Sequence, residues 1–163
     1  GLRDQTLIAF SSDNGGPSPG KVTDNGVLRA GKGTLYEGGT RVCAFATWPG
    51  HIPAGSVVKA PLHMVDWYPT LLNLAGATLE QKAPIDGRDA WAALTTGAPS
   101  PHDAILYNTT PKNGAIRVGD WKLVLRQPRP ELYDLRRDIG EAHDLAASRR
   151  TLAAELRRTY AAW

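Results

Sequence analysis

Eight glycines fall between residues 15 and 40, and this stretch limits the possible folds more than any other feature. So much glycine neither propagates a helix nor holds a strand, because each one adds backbone freedom that folding must freeze. Two apolar runs flank it, residues 5–11 (Gln-Thr-Leu-Ile-Ala-Phe-Ser) and 41–48 (Arg-Val-Cys-Ala-Phe-Ala-Thr-Trp). Apolar residues at consecutive positions predict strands buried on both faces, as in a parallel sheet covered by helices. The glycines between them predict a long ordered loop, and a loop of that length in a compact domain is usually functional or disordered.

The rest of the chain divides by pattern. Residues 66–75 predict a helix, with Asp66 as N-cap, Pro69 in the first turn, Leu71, Leu72 and Ala75 as its apolar face, and Gly76 as terminator. Asp89 to Leu94 predicts one or two further helical turns. Thr96-Gly97-Ala98-Pro99-Ser100-Pro101 breaks every regular pattern, so we expect a division into residues 1–98 and 99–163. Beyond it, the runs Ala104–Asn108, Ala115–Val118, Trp121–Leu125 and Glu131–Leu135 are separated by turn signals at Asn113-Gly114 and Gly119-Asp120, predicting a small antiparallel sheet. A helix opening at Ser148 should lay Leu152, Leu156 and Tyr160 on that sheet, with Arg149, Arg150, Arg157 and Arg158 off the stripe.

Charge excludes one class of partner. Residues 1–100 hold eight Lys/Arg and eight Asp/Glu, and residues 126–158 hold eight Arg against six acids. A nucleic-acid module would gather far more positive charge on one face, with aromatics to stack bases. No run approaches the roughly 18 apolar residues of a membrane span. Gly1-Leu2-Arg3-Asp4 has no basic and apolar leader, so no signal peptide is read there. The single cysteine, Cys43, excludes an internal disulfide framework and reads as a small buried hydrophobe.

Two places carry residues suited to chemistry. Asp13 and Asn14 stand where an apolar run meets the glycine loop. In open α/β sheets ligands bind where strands end, and a carboxylate beside an amide carbonyl gives two hard oxygen donors suited to Ca²⁺ or Mg²⁺. Asn14-Gly15 is equally a common turn dipeptide. The second place is Gly31-Lys32-Gly33, where a lysine framed by glycines can bring an ammonium and backbone amides to an anion. Its spacing is not that of a Walker A loop, and an ordinary glycine-rich loop would read the same. His51, His63, His102 and His143 lack the paired spacing of metal ligands, and His63 is expected to make a structural hydrogen bond. Glu37 and Arg41 flank the lysine loop as its supporting ion pair, Trp121 and Trp163 read as packing residues, and Asn108-Thr109-Thr110 fits a glycosylation sequon.

Taken in order, Phe10-Ser11-Ser12-Asp13-Asn14-Gly15-Gly16, the stretch from Gly31 to Val42, Asp66-Trp67-Tyr68-Pro69-Thr70-Leu71-Leu72, and Asp86-Gly87 resemble the type I sulfatases, with the closest likeness to the arylsulfatase B-like group. Gly119-Asp120-Trp121-Lys122-Leu123, Glu131-Leu132-Tyr133-Asp134-Leu135 and Glu141-Ala142-His143-Asp144-Leu145 resemble the same family's C-terminal signatures. The resemblance implies an α/β fold of the alkaline-phosphatase-like kind, here partial, with a small C-terminal subdomain of antiparallel sheet plus helix. Residues 1–98 would then belong to the catalytic α/β domain. It also implies hydrolysis of a sulfate ester, on a small molecule or a sulfated glycan, with Asp13 and Asn14 as ligands of Ca²⁺ or another divalent cation such as Mg²⁺. Lys32 would be the lysine that contacts the sulfate. The family's setting favours periplasm, cell exterior or lysosome.

The departure from the family is as informative. Its nucleophile is a formylglycine made in a C-x-P-S-R or S-x-P-S-R motif, and none is present; Cys43 is followed by Ala44-Phe45-Ala46. The sequence is therefore expected to be part of a longer enzyme and inactive by itself. Two other readings stay open: a phosphatase or phosphodiesterase of the same superfamily, and a non-catalytic anion- or glycan-binding module.

Overall fold

The computed structural model describes residues 1–18, 22–110, 113–126 and 128–163, with the backbone alone for residues 108–110. In chain order its elements are β1 (Ile8–Ser11), α1 (Glu37–Thr40), β2 (Ala44–Thr47), α2 (Trp67–Leu74), α3 (Trp91–Thr96), β3 (Ile105–Thr110), β4 (Asn113–Val118), β5 (Trp121–Leu125), β6 (Glu131–Asp134) and α4 (Arg150–Ala161). They form two compact units, residues 1–11 with 44–103 and residues 12–43 with 104–163.

In the first unit, β1 and β2 pair antiparallel, with Phe10 opposite Phe45 and their rings stacked at 5.2 Å. This corrects the expected parallel direction between the two strands; within this chain Ile8, Phe10 and Phe45 are 53%, 48% and 58% exposed. The apolar run shows that both faces want cover but carries nothing about the direction of the neighbouring strand. Cys43, expected to be buried, is exposed within this chain.

The expected helix is present as α2, but its start differs. Asp66 makes no side-chain cap to α2, because it already lies in helical geometry at the end of a single turn, Met64–Asp66. The cap is His63, whose Nδ1 accepts from the Val65 amide at 3.2 Å while the Asp66 carboxylate accepts from the His63 amide at 2.7 Å. That is a reciprocal capping box, and it gives His63 the structural hydrogen bond expected of it. The buried face is Pro69 and Thr70, whereas Leu71 is exposed. The Thr70 hydroxyl decides this by donating to the Asp66 carbonyl at 2.6 Å and accepting from the Ala90 amide at 2.9 Å. At the other end Gly76 adopts φ +66°, and the Ala77 amide reaches back to the Leu72 carbonyl, the expected glycine stop. Asp89 precedes α3 and accepts from the Trp91 amide at 2.9 Å.

The second unit is built on an antiparallel meander in the order β3-β4-β5-β6. Val118 pairs with Trp121 across Gly119, whose φ of +57° suits a two-residue hairpin. The other turn signal misleads. Asn113 and Gly114 lie within β4, because Thr110 pairs with Asn113 and the connection is residues 111–112, outside the described residues. The Asn108 sequon side chain lies outside them too.

Alternation along the strands gives the sheet two apolar faces. Ile116, Leu123 and Leu132 form one, buried against Leu156 and Tyr160 of α4, with Trp121 and Leu152 packed alongside. The stripe behaves as predicted, although the helix opens at Arg150, two residues later, because the Ser148 hydroxyl bonds the Leu145 carbonyl instead. Trp163 is 67% exposed, not packed, since it lies past the last turn of α4. The opposite face, with Ala115, Val124, Tyr133 and Leu135, takes Tyr36 into its core together with Ala30 and Leu35. The glycine loop thus covers one side of the sheet as α4 covers the other. Tyr36 and Tyr133 meet edge-on at 6.5 Å, an arrangement worth about 0.5–1.5 kcal/mol beyond area burial.

Candidate active site

The loop 12–43 is shaped by backbone crossing backbone. The Gly15 amide donates to the Gly39 carbonyl at 3.0 Å, Lys32 to Gly16 at 3.1 Å, and Gly38 to Arg29 at 2.9 Å. No side chain fits at these crossings. A Cβ on Gly15 would run into the Gly38 carbonyl oxygen, and one on Gly31 into the Gly16 carbonyl oxygen. Glycine is required here for close approach rather than for unusual dihedrals.

One side chain ties the crossings together. Asn25 accepts from the Gly16 amide at 3.1 Å and donates to the carbonyls of Gly16 at 3.0 Å, Ala30 at 2.8 Å and Gly38 at 3.2 Å. Sequence reasoning missed it, because Asn25-Gly26 reads as one more turn dipeptide. The effect is to hold Lys32 through its amide on the carbonyl of Gly16, two residues past Asn14. Asp13-Asn14 and Lys32, eighteen residues apart in sequence, are therefore brought onto one knot of backbone.

The metal expectation can be tested on donor chemistry. Asp13 is exposed, and neither its carboxylate nor the Asn14 amide makes a hydrogen bond or ion pair among the described residues, so both remain available. Together they provide a charged and a neutral oxygen, the donor type of a hard cation. The described residues hold no group of three or more His, Cys, Asp or Glu that could bind a metal ion. The pair fits a hard cation in kind and would supply only part of its shell.

Below Lys32 the loop is anchored by buried charge. The Lys122 ammonium, wholly buried on the loop-facing side of β5, lies 2.8 Å from Glu37 Oε1 and 3.0 Å from Glu141 Oε1. Glu37 Oε2 pairs with Arg41 at 3.2 Å, the ion pair expected of these two residues. Glu141 Oε2 accepts from the Glu37 amide at 2.6 Å. Its Oε1 makes the ion pair without hydrogen-bond geometry and has no hydrogen-bond donor. Burial raises the Glu141 carboxyl above its ordinary value, and the Lys122 charge offsets this only in part. The Lys122 ammonium also sits 5.3 Å over the Tyr107 ring, and burial pushes the Tyr107 phenol up to about 12. The sequence held a signal for Lys122, a charge placed on the inward side of a strand beside Val124.

A second anchor lies beside it. The hydroxyls of Tyr36 and Tyr133 both donate to Glu131 Oε2 at 2.7 Å. Arg29 stacks 3.8 Å over the Tyr36 ring and donates to the Tyr133 hydroxyl at 2.7 Å. In the other unit Asp66, also buried, accepts from the Arg88 amide at 2.9 Å and lies 2.6 Å from His102 Nε2. Asp66 is thus committed to three structural partners, the amides of His63 and Arg88 and the His102 ring.

Comparison with known proteins identifies the family. The family model described as Sulfatase matches residues 1–77. Arylsulfatase J of Mus musculus is 37% identical over 148 residues, 78% of this chain and 25% of its own length. Arylsulfatase A of Homo sapiens is 35% identical over 177 residues, 89% of this chain and 34% of its own length. The chain thus spans about a quarter to a third of these relatives. The crystal structure of Ps i-CgsB in complex with k-i-k-neocarrahexaose superposes with a TM-score of 0.90 at 36% identity, over 99% of this chain and 37% of that one. The glycine-knotted loop after an apolar strand, the small sheet with its helix, and these matches agree: the chain belongs to the type I sulfatase family and carries part of its alkaline-phosphatase-like α/β fold.

Proposed function

We propose that the full-length protein is a sulfuric ester hydrolase in which this chain supplies part of the metal site and the cationic contact to the sulfate. The observation that carries the reading is the knot that ties Lys32 to Gly16, directly beyond Asp13-Asn14. Asp13 and Asn14 would hold a divalent cation, Ca²⁺ or Mg²⁺. Bound there, it would supply positive charge against the sulfate oxygens and the nucleophile. Lys32 would contact the sulfate and balance the charge that develops on it. The formylglycine nucleophile and the remaining ligands lie outside this chain, so the chain alone is expected to be inactive. A relative solved with a carbohydrate bound favours a sulfated glycan as substrate. Residues 1–98 belong on this reading to the catalytic α/β domain and 99–163 to the C-terminal subdomain, with the loop 12–43 resting on the latter's sheet.

The test is Lys32→Ala in the full-length enzyme, assayed on an aryl sulfate and on the matching aryl phosphate. Loss of a preorganised cation at developing charge removes roughly 3–4 kcal/mol, on the order of a hundred- to a thousandfold in turnover. Near-unchanged kcat/KM on the sulfate would refute the role of Lys32, and a preference for the phosphate would refute the reaction class.

A further inference from the structure

We infer that Lys122 is a positioning residue, setting the placement of the Lys32 loop through the buried carboxylates of Glu37 and Glu141; this rests on the role given to Lys32 above. Glu37 opens α1 five residues after Lys32 and is held at both ends. Its carboxylate meets Lys122 at 2.8 Å, and its backbone amide meets Glu141 at 2.6 Å. α1 has only four residues, Glu37, Gly38, Gly39 and Thr40, so little else on it can dock. Without the charge cluster, the segment would be held on the sheet mainly by Tyr36 and the apolar contact of Leu35 beside it.

The cluster is a costly way to hold a loop. Lys122 and Glu141 are fully buried and Glu37 nearly so, and each ion taken from water costs several kcal/mol before pairing offsets it. Glu141 further adopts φ +52°, a region unfavourable to side chains other than glycine and retained where the surroundings demand it. Apolar residues of similar volume would often serve stability as well or better. What they would not give is register. An ammonium between two carboxylates is satisfied in one placement of α1, whereas an apolar contact tolerates sliding. From Glu37 the placement passes back through Tyr36, whose hydroxyl is fixed by Glu131, and through Thr34, bonded by amide and hydroxyl to the Gly31 carbonyl, to the amide of Lys32. A reacting contact displaced by roughly 1 Å can lose on the order of a hundredfold in rate.

The experiment is a double-mutant cycle on the full-length enzyme, Lys122→Met against Lys32→Ala, with kcat and KM on an aryl sulfate and circular dichroism to verify folding. Lys122→Met alone should lower kcat about tenfold or more with KM changed less, the pattern of a contact made in the transition state. Added to Lys32→Ala it should cost less than about twofold more, because residues that act through one another are not additive. Equal losses in both backgrounds would overturn the inference and leave Lys122 as a general stabiliser. If Lys122→Met does not fold, the same cycle with Glu141→Gln decides, since that change keeps the Lys122–Glu37 pair. Its smaller loss should vanish in the Lys32→Ala background, and persistence overturns the inference. An unchanged Lys32→Ala enzyme would instead refute the role of Lys32, a separate failure visible in the single variant.

Discussion

Replacing Asn25 should loosen the loop far more than a half-buried asparagine would suggest. Its side chain makes one accepted and three donated contacts, at 2.8–3.2 Å, to the backbone of Gly16, Ala30 and Gly38. Two amide hydrogens serve the three carbonyls, so one is shared, and the set amounts to three effective hydrogen bonds. At about 1 kcal/mol each, with additional cost for polar groups left without partners, Asn25→Ala should destabilise the knot by roughly 3 kcal/mol. Asn25→Asp should be worse despite its matching shape. It keeps the acceptor for the Gly16 amide, loses both donors, and sets a carboxylate against three carbonyl oxygens. Native-state hydrogen exchange reads the effect locally. The Lys32 and Gly38 amides should exchange about two orders of magnitude faster in Asn25→Ala, the equivalent of roughly 3 kcal/mol at 1.4 kcal/mol per tenfold. A change below about 0.5 kcal/mol, or Asp tolerated better than Ala, would mean that the glycine crossings hold the loop without Asn25.

Three further outcomes are expected. In the full-length protein Asp13→Ala should abolish tight divalent-metal binding and Asn14→Ala should weaken it less, since a charged ligand is lost in one case and a neutral donor in the other; full metal occupancy in purified Asp13→Ala would contradict this. Burial raises the Glu141 carboxyl above its ordinary value near 4.5, so its contribution to stability is fully present below that value and is lost as pH rises through the folded-state value. Glu141→Gln should accordingly gain stability relative to the parent as pH rises above about 4.5, read from urea midpoints, and a relative loss with rising pH would show the opposite sign of shift. In the isolated chain, exchange should be slowest in β4, β5 and β6 and fast in the half-exposed ribbon of β1 and β2, and Phe10→Ser with Phe45→Ser should reduce light scattering by removing the apolar patch. Uniform protection or unchanged scattering would show that the ribbon is not the weak, adhesive part.

What the sequence disclosed depended on how local the deciding interaction was. The meander was legible because alternation and turn residues lie side by side in the chain, and β5 was read residue for residue as Trp121–Leu125. The stripe of α4 was legible for the same reason. Asp13, Asn14 and Lys32 were singled out by type and setting, and the structure adds the crossing that joins them. The illegible parts were non-local. The strand runs carried no sign of the antiparallel pairing of Phe10 with Phe45. Asp66 looked like a helix cap because a carboxylate before a helix usually is one, and its actual partners are His63, Arg88 and His102. Asn25 gave no signal, since its importance lies wholly in backbone groups distant along the chain, and Glu141 stood in a family-like stretch without any sign of its partners, Lys122 and the Glu37 amide.

The separation between Glu37 and Glu141 has a consequence in time. The bond from the Glu37 amide closes over 104 residues, and the Lys122 pair over 85. At synthesis rates of about 5–20 residues per second, roughly 5 to 20 seconds pass between the emergence of the loop and that of its last anchor. Through most of that interval the glycine-rich segment has no complete sheet to rest on, since β6 ends only at Asp134, and the entropy of closing so long a span is still to be met. The segment that carries Lys32 is therefore among the last parts of the nascent chain to settle. A premature stop anywhere before Glu141 would release a polypeptide that contains Asp13, Asn14 and Lys32 yet never assembles the surface that orders them.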